Sequence, residues 1–499
     1  MASLHSSVRL ATTAFLGKWG RFQQQVFFLL CLRSIPTGYI GLSVVFLADT
    51  PQNRSGCLDG WEYDQSVYTS TVVSEWDLVC DDQWKKPLTS SVFFFGILIG
   101  SFISGQLSDR SWRKDFQVVN ATLSKCLICL IVLKKERSQQ KCVTINDSGF
   151  VAAFVLGTEI FGPHVRKIFS TLGSNLVFAV GYMLLPLFAF ITRDWKMLLV
   201  ALTLPIPLYL PLWWYVPESP RWLLSQGRVE EAEAIIREAA KKNKIEPPSL
   251  IFTQNICDLI GSQNIRGVSF TLWMLHRTEK VSTVIFTPNN YPHRICIAIA
   301  YFAVSLNTVN LHGNSYLNCF LSATVELPAY VLSWIMFRRC SRRLCLFSTL
   351  FTTGLFLLFV QLMPANLTYV AIAFEMIAKF AVTIAFSIVY GYTVEVYPTV
   401  LRTTALGTSS MIARIGSILS PYIIYLRSYS LSLPYILIGC FSVLCALLSL
   451  LLPETYGMPL PDTISQMQRF PGWCQKTPYA LTHTEEKENA AEMRSPVVC

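Results

Sequence analysis

The chain is poor in charge. Of its 499 residues only 14% are Asp, Glu, Lys or Arg, against 52% hydrophobic, and the mean hydropathy is +0.42. That balance excludes an ordinary soluble protein, in which about 25% of residues are charged. No nucleophile–base set, phosphate-binding glycine loop or metal-ligand cluster is legible, so no catalytic residue, metal or organic cofactor is assigned. The site must bind and release a ligand without reacting with it. The fifteen cysteines are scattered. Cys126 and Cys129 have ligand-pair spacing but lie inside an apolar run, where packing is the simpler account. A basic stripe is also missing: the formal charge of +10 is dispersed among short loops, so nucleic acid is not an expected partner. No cleavable leader precedes the first apolar run, and Cys499, as the last residue, makes no lipidation box.

What is present is a series of apolar runs of spanning length. Six fall in the first half, at 26–48, 87–107, 118–133, 143–161, 168–191 and 197–216. Six more follow at 295–306, 317–337, 345–362, 368–394, 404–425 and 433–452. The expected fold class is an all-α membrane protein of two six-helix bundles, with the third and seventh helices irregular. Residues 1–25 precede the first bundle (26–216), which includes a polar loop at 49–86; a linker covers 217–293, the second bundle 294–452 and a tail 453–499. The third span carries Lys125 near its middle and runs into the basic cluster Lys134–Arg137. After the polar stretch 276–294 the seventh has only a dozen apolar residues. Such a run rises about 18 Å, short of a bilayer core of about 30 Å. In the linker, EEAEAIIREAAKKNK spaces Ala and Ile as an amphipathic surface helix.

Basic residues set the expected orientation. Arg110, Arg113 and Lys114, then Arg166 and Lys167, then Arg338, Arg339, Arg342 and Arg343, and finally Arg402 all fall on one side with the linker and both termini. That side should be cytoplasmic in a multi-pass plasma-membrane protein. The loop at 49–86 is then external, with eight acids against Arg54, Lys85 and Lys86, an acidic mouth that favours cations. It holds a glycosylation sequon at Asn53 and a candidate disulfide between Cys57 and Cys80.

The chain repeats itself. In GTEIFGPHVR and again in GYTVEVYPTVLR, a glutamate and an arginine lie seven residues apart around a proline: Glu159 and Arg166, then Glu395 and Arg402. Each glutamate is followed 59 residues later by a second, Glu218 in PES and Glu454 in PET. A duplicated, two-bundle chain accounts for this. Asp109, Arg110, Arg113, Glu159, Arg166, Glu218, Arg221, Glu395 and Arg402 are therefore read as gating and coupling residues at the cytoplasmic helix ends. Ion pairs there would break and re-form as the bundles rock. For Glu395, direct contact with sodium or substrate is the second reading.

Two stripes point at a ligand. In span ten Glu375, Lys379, Thr383, Phe386, Tyr390 and Thr393 form one helical face; alternatively Glu375 and Lys379 simply neutralise each other. In span eleven Gly407, Ser410, Arg414, Ser417 and Pro421 form another. Arg414 is a permanent charge in mid-membrane, either a fork for a substrate carboxylate or a buried partner for a nearby acid. Ring faces at Phe386 and Tyr390 suit a quaternary ammonium group. Together the stripes suit a small zwitterion.

Long literal motifs carry a resemblance: CLDGWEYDQSVYTSTVVSEWDLVC, SFISGQLSDR, GYMLLPLFAF, WWYVPESPRWLLSQGR, VNLHGNSYLNCFLSA, EVYPTVLR and ARIGSILSPY. In these the chain resembles the carnitine and organic cation transporters of the major facilitator superfamily, most closely the sodium/carnitine branch. The resemblance implies alternating-access transport of carnitine and quaternary ammonium compounds, with sodium as a possible coupling ion. Lys379 and Phe386 match the family, whereas Glu375 does not. Tyr182, in GYMLLPLFAF, becomes a candidate aromatic wall from the first half, or packing. Glu326 matches a family Glu-x-Pro and lines the cavity or packs beside Pro328. Trp112 replaces a glycine of the loop after span two, and residues 115–147 and 276–294 depart from the family. The alternatives are a non-transporting facilitator-like protein and an organic anion or sugar carrier. Nothing in the sequence assigns an oligomeric state.

Overall fold

The computed structural model describes residues 19–49, 63, 65–110, 156, 157, 160–162, 165, 168–205, 215–220, 223, 228–246, 290–311, 313–364, 367–396 and 402–456. In the first half α1 spans Arg21–Leu47, α2 Lys85–Arg110, α3 Ser174–Thr192 and α4 Trp195–Thr203. A linker helix, α5, spans Val229–Asn243. The second half comprises α6 Asn290–Leu306, α7 Ser315–Arg339, α8 Arg342–Val360, α9 Thr368–Val396, α10 Arg402–Tyr425 and α11 Leu433–Ser449. Five of the described helices are long and apolar enough to cross a membrane. Spans one, two, five and seven to twelve of the sequence thus appear as helices, and α4 begins span six. Span three and most of span four lie outside the described residues.

Local chemistry sets the ends of these helices. Asp194 accepts from the Met197 N–H at 3.1 Å to start α4, and Asn314 accepts from the Tyr316 N–H at 2.9 Å to start α7. Pro36 has no N–H to give the preceding turn, and α1 is broken just before it, at Arg33. Gly38 of α1 and Gly181 of α3 meet backbone to backbone. A Cβ on Gly38 would overlap the Phe178 carbonyl oxygen, and one on Gly181 the Ile35 carbonyl oxygen, so only hydrogen lets these helices approach so closely.

The seventh helix is longer than the hydropathy indicates. It has 17 residues rather than a dozen, a rise of about 25 Å at about 1.5 Å per residue. Its polar start is buried by protein instead of facing lipid. Arg294 donates to the Val389 carbonyl at 3.1 Å and to Thr393 Oγ1 at 2.6 Å, and its guanidinium lies 4.3 Å from the Tyr390 ring centroid. Hydropathy counts such residues against a span, but a neighbouring helix satisfies them here.

Within the second half α8 packs on α9 and α11, and α6 on α10. The most extensive pairings between the halves are α3 with α7 and α2 with α10. At one end, hereafter the loop end, the turn Val72–Glu75 is tied to α4: Glu75 accepts from Trp195 Nε1 and from Lys196 Nζ, each at 2.6 Å. Cys80 is disulfide-bonded, while its candidate partner Cys57 and the sequon at Asn53 lie outside the described residues.

At the other end, hereafter the linker end, α5 buries Ala232, Ile236, Ala239 and Ala240 on one face, as its spacing predicts. Its last residue caps α1. Asn243 Oδ1 accepts from the Phe22 N–H at 2.9 Å, and its amide donates to Gln23 Oε1 at 2.9 Å. An otherwise orphaned first-turn N–H of α1 is satisfied by a side chain some 220 residues away. Asn243→Ala should cost about 1 kcal/mol, as loss of a cap does, and speed amide exchange in α5 and the first turn of α1. Unchanged protection in both segments would refute the cap.

Candidate functional site

A cavity of about 70 Å³ lies between the halves. From α1 and α3 it receives Thr37, Gly41, Asn175 and Phe178; from the second half come Tyr301, Tyr330, Phe386, Tyr390, Ser410 and Arg414. The rings form a continuous wall. Tyr301 stacks on Phe386 at 5.0 Å and 23°, and Phe386 meets Tyr390 at 5.3 Å.

Behind that wall is a buried ion pair. Lys379 Nζ lies 2.8 Å from Glu326 Oε1, with both side chains fully buried. Tyr301 donates to the same oxygen at 2.8 Å and Tyr330 to the other at 3.4 Å, while Lys379 donates to the Ser305 hydroxyl. The ammonium also lies 3.6 Å from the Tyr301 ring centroid and 5.8 Å from that of Tyr182. Three hydroxyls and two aromatic rings thus compensate charges that would otherwise be costly out of water.

Pairing between Glu375 and Lys379 does not occur. Each meets a different helix: Lys379 meets Glu326 of α7, while Glu375 accepts from Asn307 Nδ2 at 2.9 Å and from the Tyr435 hydroxyl at 3.2 Å. Of the span-ten stripe, Phe386 and Tyr390 line the cavity, and Lys379 sits one layer behind. Tyr182 is buried with its ring toward Lys379 and its hydroxyl 3.8 Å from Cys319 Sγ. From the second stripe Ser410 and Arg414 line the cavity. Ser417 does not: its hydroxyl turns back onto the Arg414 carbonyl at 2.8 Å.

The gating candidates are placed unevenly. Arg113, Glu159, Arg166 and Arg221 lie outside the described residues; Asp109, Arg110 and Arg402 are helical, but their side chains are outside them. Glu218 is buried, and its Oε1 accepts from the Ser219 N–H at 3.4 Å. Glu395 is held in detail. Arg342 reaches it with Nε at 2.9 Å and Nη2 at 3.1 Å, and the Thr455 hydroxyl adds a third bond at 2.9 Å. Both oxygens are engaged at the linker end, and the carboxylate is not part of the cavity lining.

Arg342 was read from sequence only as a topology signal. Its guanidinium stacks 3.7 Å from the Phe337 ring centroid, and its backbone N–H donates to Glu454 at 2.9 Å, beside the Arg343 N–H at 3.2 Å and the Ser341 hydroxyl. Glu395 and Glu454, 59 residues apart, therefore close on the first turn of α8 from two sides. Burial pushes the Glu454 carboxyl up, but Ser341 and the N–H groups of Arg342, Tyr456 and Arg343 outweigh it and hold the carboxyl below its ordinary value of 4.5. Its stabilising contribution is present above that value and is lost as pH falls through the lower folded value.

Glu326 with Lys379, and the hydroxyls of Tyr301 and Tyr330, are the features that sequence reasoning left open or missed. A signal existed: Glu326 has no basic residue nearer than Arg338 on its own helix, and such a carboxylate in mid-span requires a partner across the bundle.

Apolar helices arranged as two halves around a cavity of rings and a fixed cation have the architecture of a membrane transporter of the facilitator type. Residues 62–465 match the family model described as Sugar (and other) transporter. Organic cation/carnitine transporter 2 of Homo sapiens is 45% identical over 561 residues, covering 96% of this chain and 97% of that protein. The organic cation transporter protein of Drosophila melanogaster is 31% identical over 521 residues, covering 91% and 93%. Among solved structures, the partially occluded inward open xylose transporter XylE from E. coli superposes with a TM-score of 0.63 at 16% identity, over 88% of this chain and all of that one. The proton:xylose symporter XylE bound to 6-bromo-6-deoxy-D-glucose gives 0.61 at 17% identity, over 90% and 99%. The chain belongs to the organic cation/carnitine transporters within the sugar (and other) transporter family of the major facilitator superfamily. It is a transporter and not an enzyme.

Removing one member of the buried pair should be far worse than removing both. Lys379→Met should cost about 3–5 kcal/mol, and adding Glu326→Gln should recover most of it in thermal unfolding of the purified chain. Additive losses would mean that the two charges act independently.

Proposed function

We propose that this transporter carries carnitine and small quaternary ammonium compounds across the plasma membrane by alternating access, with sodium as the coupling ion and the linker end cytoplasmic. The observation that carries the substrate reading is the cavity lining: Phe386 and Tyr390 present rings beside Arg414 in one small space. A desolvated trimethylammonium group gains roughly 0.5–2 kcal/mol from such a face, and the guanidinium offers two parallel donors to a carboxylate. Tyr301 and Tyr330 extend the wall. The names of the relatives agree with this chemistry.

The cavity of about 70 Å³ is well below the roughly 300 Å³ of a typical ligand pocket. Entry then requires the halves to part, and the α3–α7 and α2–α10 seams are where they would do so. Sodium dependence belongs to the same reading, but Glu395 is not assigned to the ion, because Arg342 and Thr455 already hold both of its oxygens.

The test is uptake of labelled carnitine by cells expressing the chain, with and without sodium, beside surface biotinylation. Normal surface display with no uptake of any quaternary amine would sink the reading. Arg414→Ala should abolish carnitine uptake while sparing part of the tetraethylammonium uptake. Equal loss of both would make Arg414 structural.

A further inference from the structure

The loop end holds a second cavity, of about 360 Å³, that the central site does not use. Its walls come from both halves, with Val44 and Lys86 facing Leu306, Val309 and Arg427, and it borders Leu431, which is exposed. Apolar side chains make up most of the lining. Arg427 lies in the short helical turn Leu426–Ser428 after α10.

Arg427 is oriented from behind. Its Nη1 donates to Asn307 Oδ1 at 3.4 Å, its one hydrogen bond among the described residues. Asn307 is fixed in turn, since its Nδ2 donates to Glu375 Oε1 at 2.9 Å and to the Tyr435 hydroxyl at 2.7 Å. The Tyr435 hydroxyl in turn donates to Glu375 Oε2 at 3.2 Å. Both oxygens of the buried carboxylate therefore have neutral donors. Glu375 balances the guanidinium electrostatically through Asn307 and leaves the fork unblocked. A guanidinium has five N–H donors, so most of its capacity is available to a group in the cavity. Across from it, Lys86 lies close enough to Asp49 to feel its charge, which leaves Arg427 as the cation that selects the ligand.

We propose that this mouth is a second binding site, distinct from the central cavity, for small organic carboxylates. Arg427 takes the carboxylate as a fork, and the apolar walls of both halves take the body of the molecule. The site accounts for Glu375, a buried acid that the central cavity leaves unused.

The test reads binding and not transport, so it stands apart from the carnitine reading. The purified full-length chain is titrated with 4-phenylbutyrate and with its neutral amide, 4-phenylbutanamide. The acid should bind about tenfold more tightly than the amide, and Arg427→Gln should weaken the acid by a similar factor, as expected for a charge-assisted bond. Acid binding lost in Arg414→Gln but kept in Arg427→Gln would place the carboxylate in the central cavity and overturn the proposal. Leu431→Trp, which fills the mouth without altering its charge, should weaken both ligands and serves if Arg427→Gln does not fold. Failure of the acid to bind, equal binding of acid and amide, or undiminished acid binding in either mouth variant would overturn the proposal.

Discussion

The second half is built around one buried ion pair. Lys379 and Glu326 come from α9 and α7, are sealed from solvent and lie 2.8 Å apart. Neither charge is tolerable alone at that depth. The pair therefore dictates which helices adjoin: α7 must present Glu326 where α9 presents Lys379, and α6 must supply Tyr301 and Ser305 to complete the shell. Tyr301 links this shell to the cavity, because its hydroxyl binds Glu326 while its ring stacks on Phe386. The aromatic wall is thus held for an electrostatic reason, since swinging the Tyr301 side chain about its Cα–Cβ bond would cost the pair a hydrogen bond. Tyr182 extends the arrangement into the first half, where its ring faces the same ammonium.

A second constraint operates at the linker end. Glu395 and Glu454 both close on the first turn of α8, one through the Arg342 side chain and the other through backbone N–H groups. Tyr392 adds a bond to the Pro453 carbonyl at 2.9 Å. α9, the start of α8 and the segment after α11 consequently move as one body. Rocking of the second half requires such rigidity, since displacement at the cavity reaches the linker end only if the helix ends do not slide past one another. In the first half the corresponding tie is different in kind, with α5 gripping the start of α1 through Asn243.

The fold was largely legible because hydropathy and repetition are properties of single segments. Runs of apolar residues announce α7, α8 and α9 without knowledge of their neighbours, and the repeated 59-residue spacing announces a duplicated chain. The seventh helix was underestimated for the converse reason. His293 and Arg294 look like loop residues until α9 is seen covering Arg294. Partner choice was the illegible part of the site. Glu375 and Lys379 stand four apart and look like a pair, yet each is drawn off by a group more than 50 residues away in sequence. Ser417 shares a face with Arg414, but a hydroxyl in an apolar helix finds its own backbone carbonyl first.

Neutralising Lys379 changes what the cavity presents to a ligand. Counted from sequence, the two stripes give two cations, Lys379 and Arg414, and one acid, Glu375. With Glu326 cancelling the first at 2.8 Å, the cavity lining keeps one cation, Arg414, beside the rings of Phe386, Tyr390, Tyr301 and Tyr330. A cation and ring quadrupoles in one lining form a dipolar surface. Such a surface discriminates by the internal charge separation of the ligand: a plain anion gains only the guanidinium and a plain cation only the rings, whereas a zwitterion of matching length gains both. The buried pair therefore gives the site its polarity by removing a charge from it, although it makes no contact with the cavity's interior.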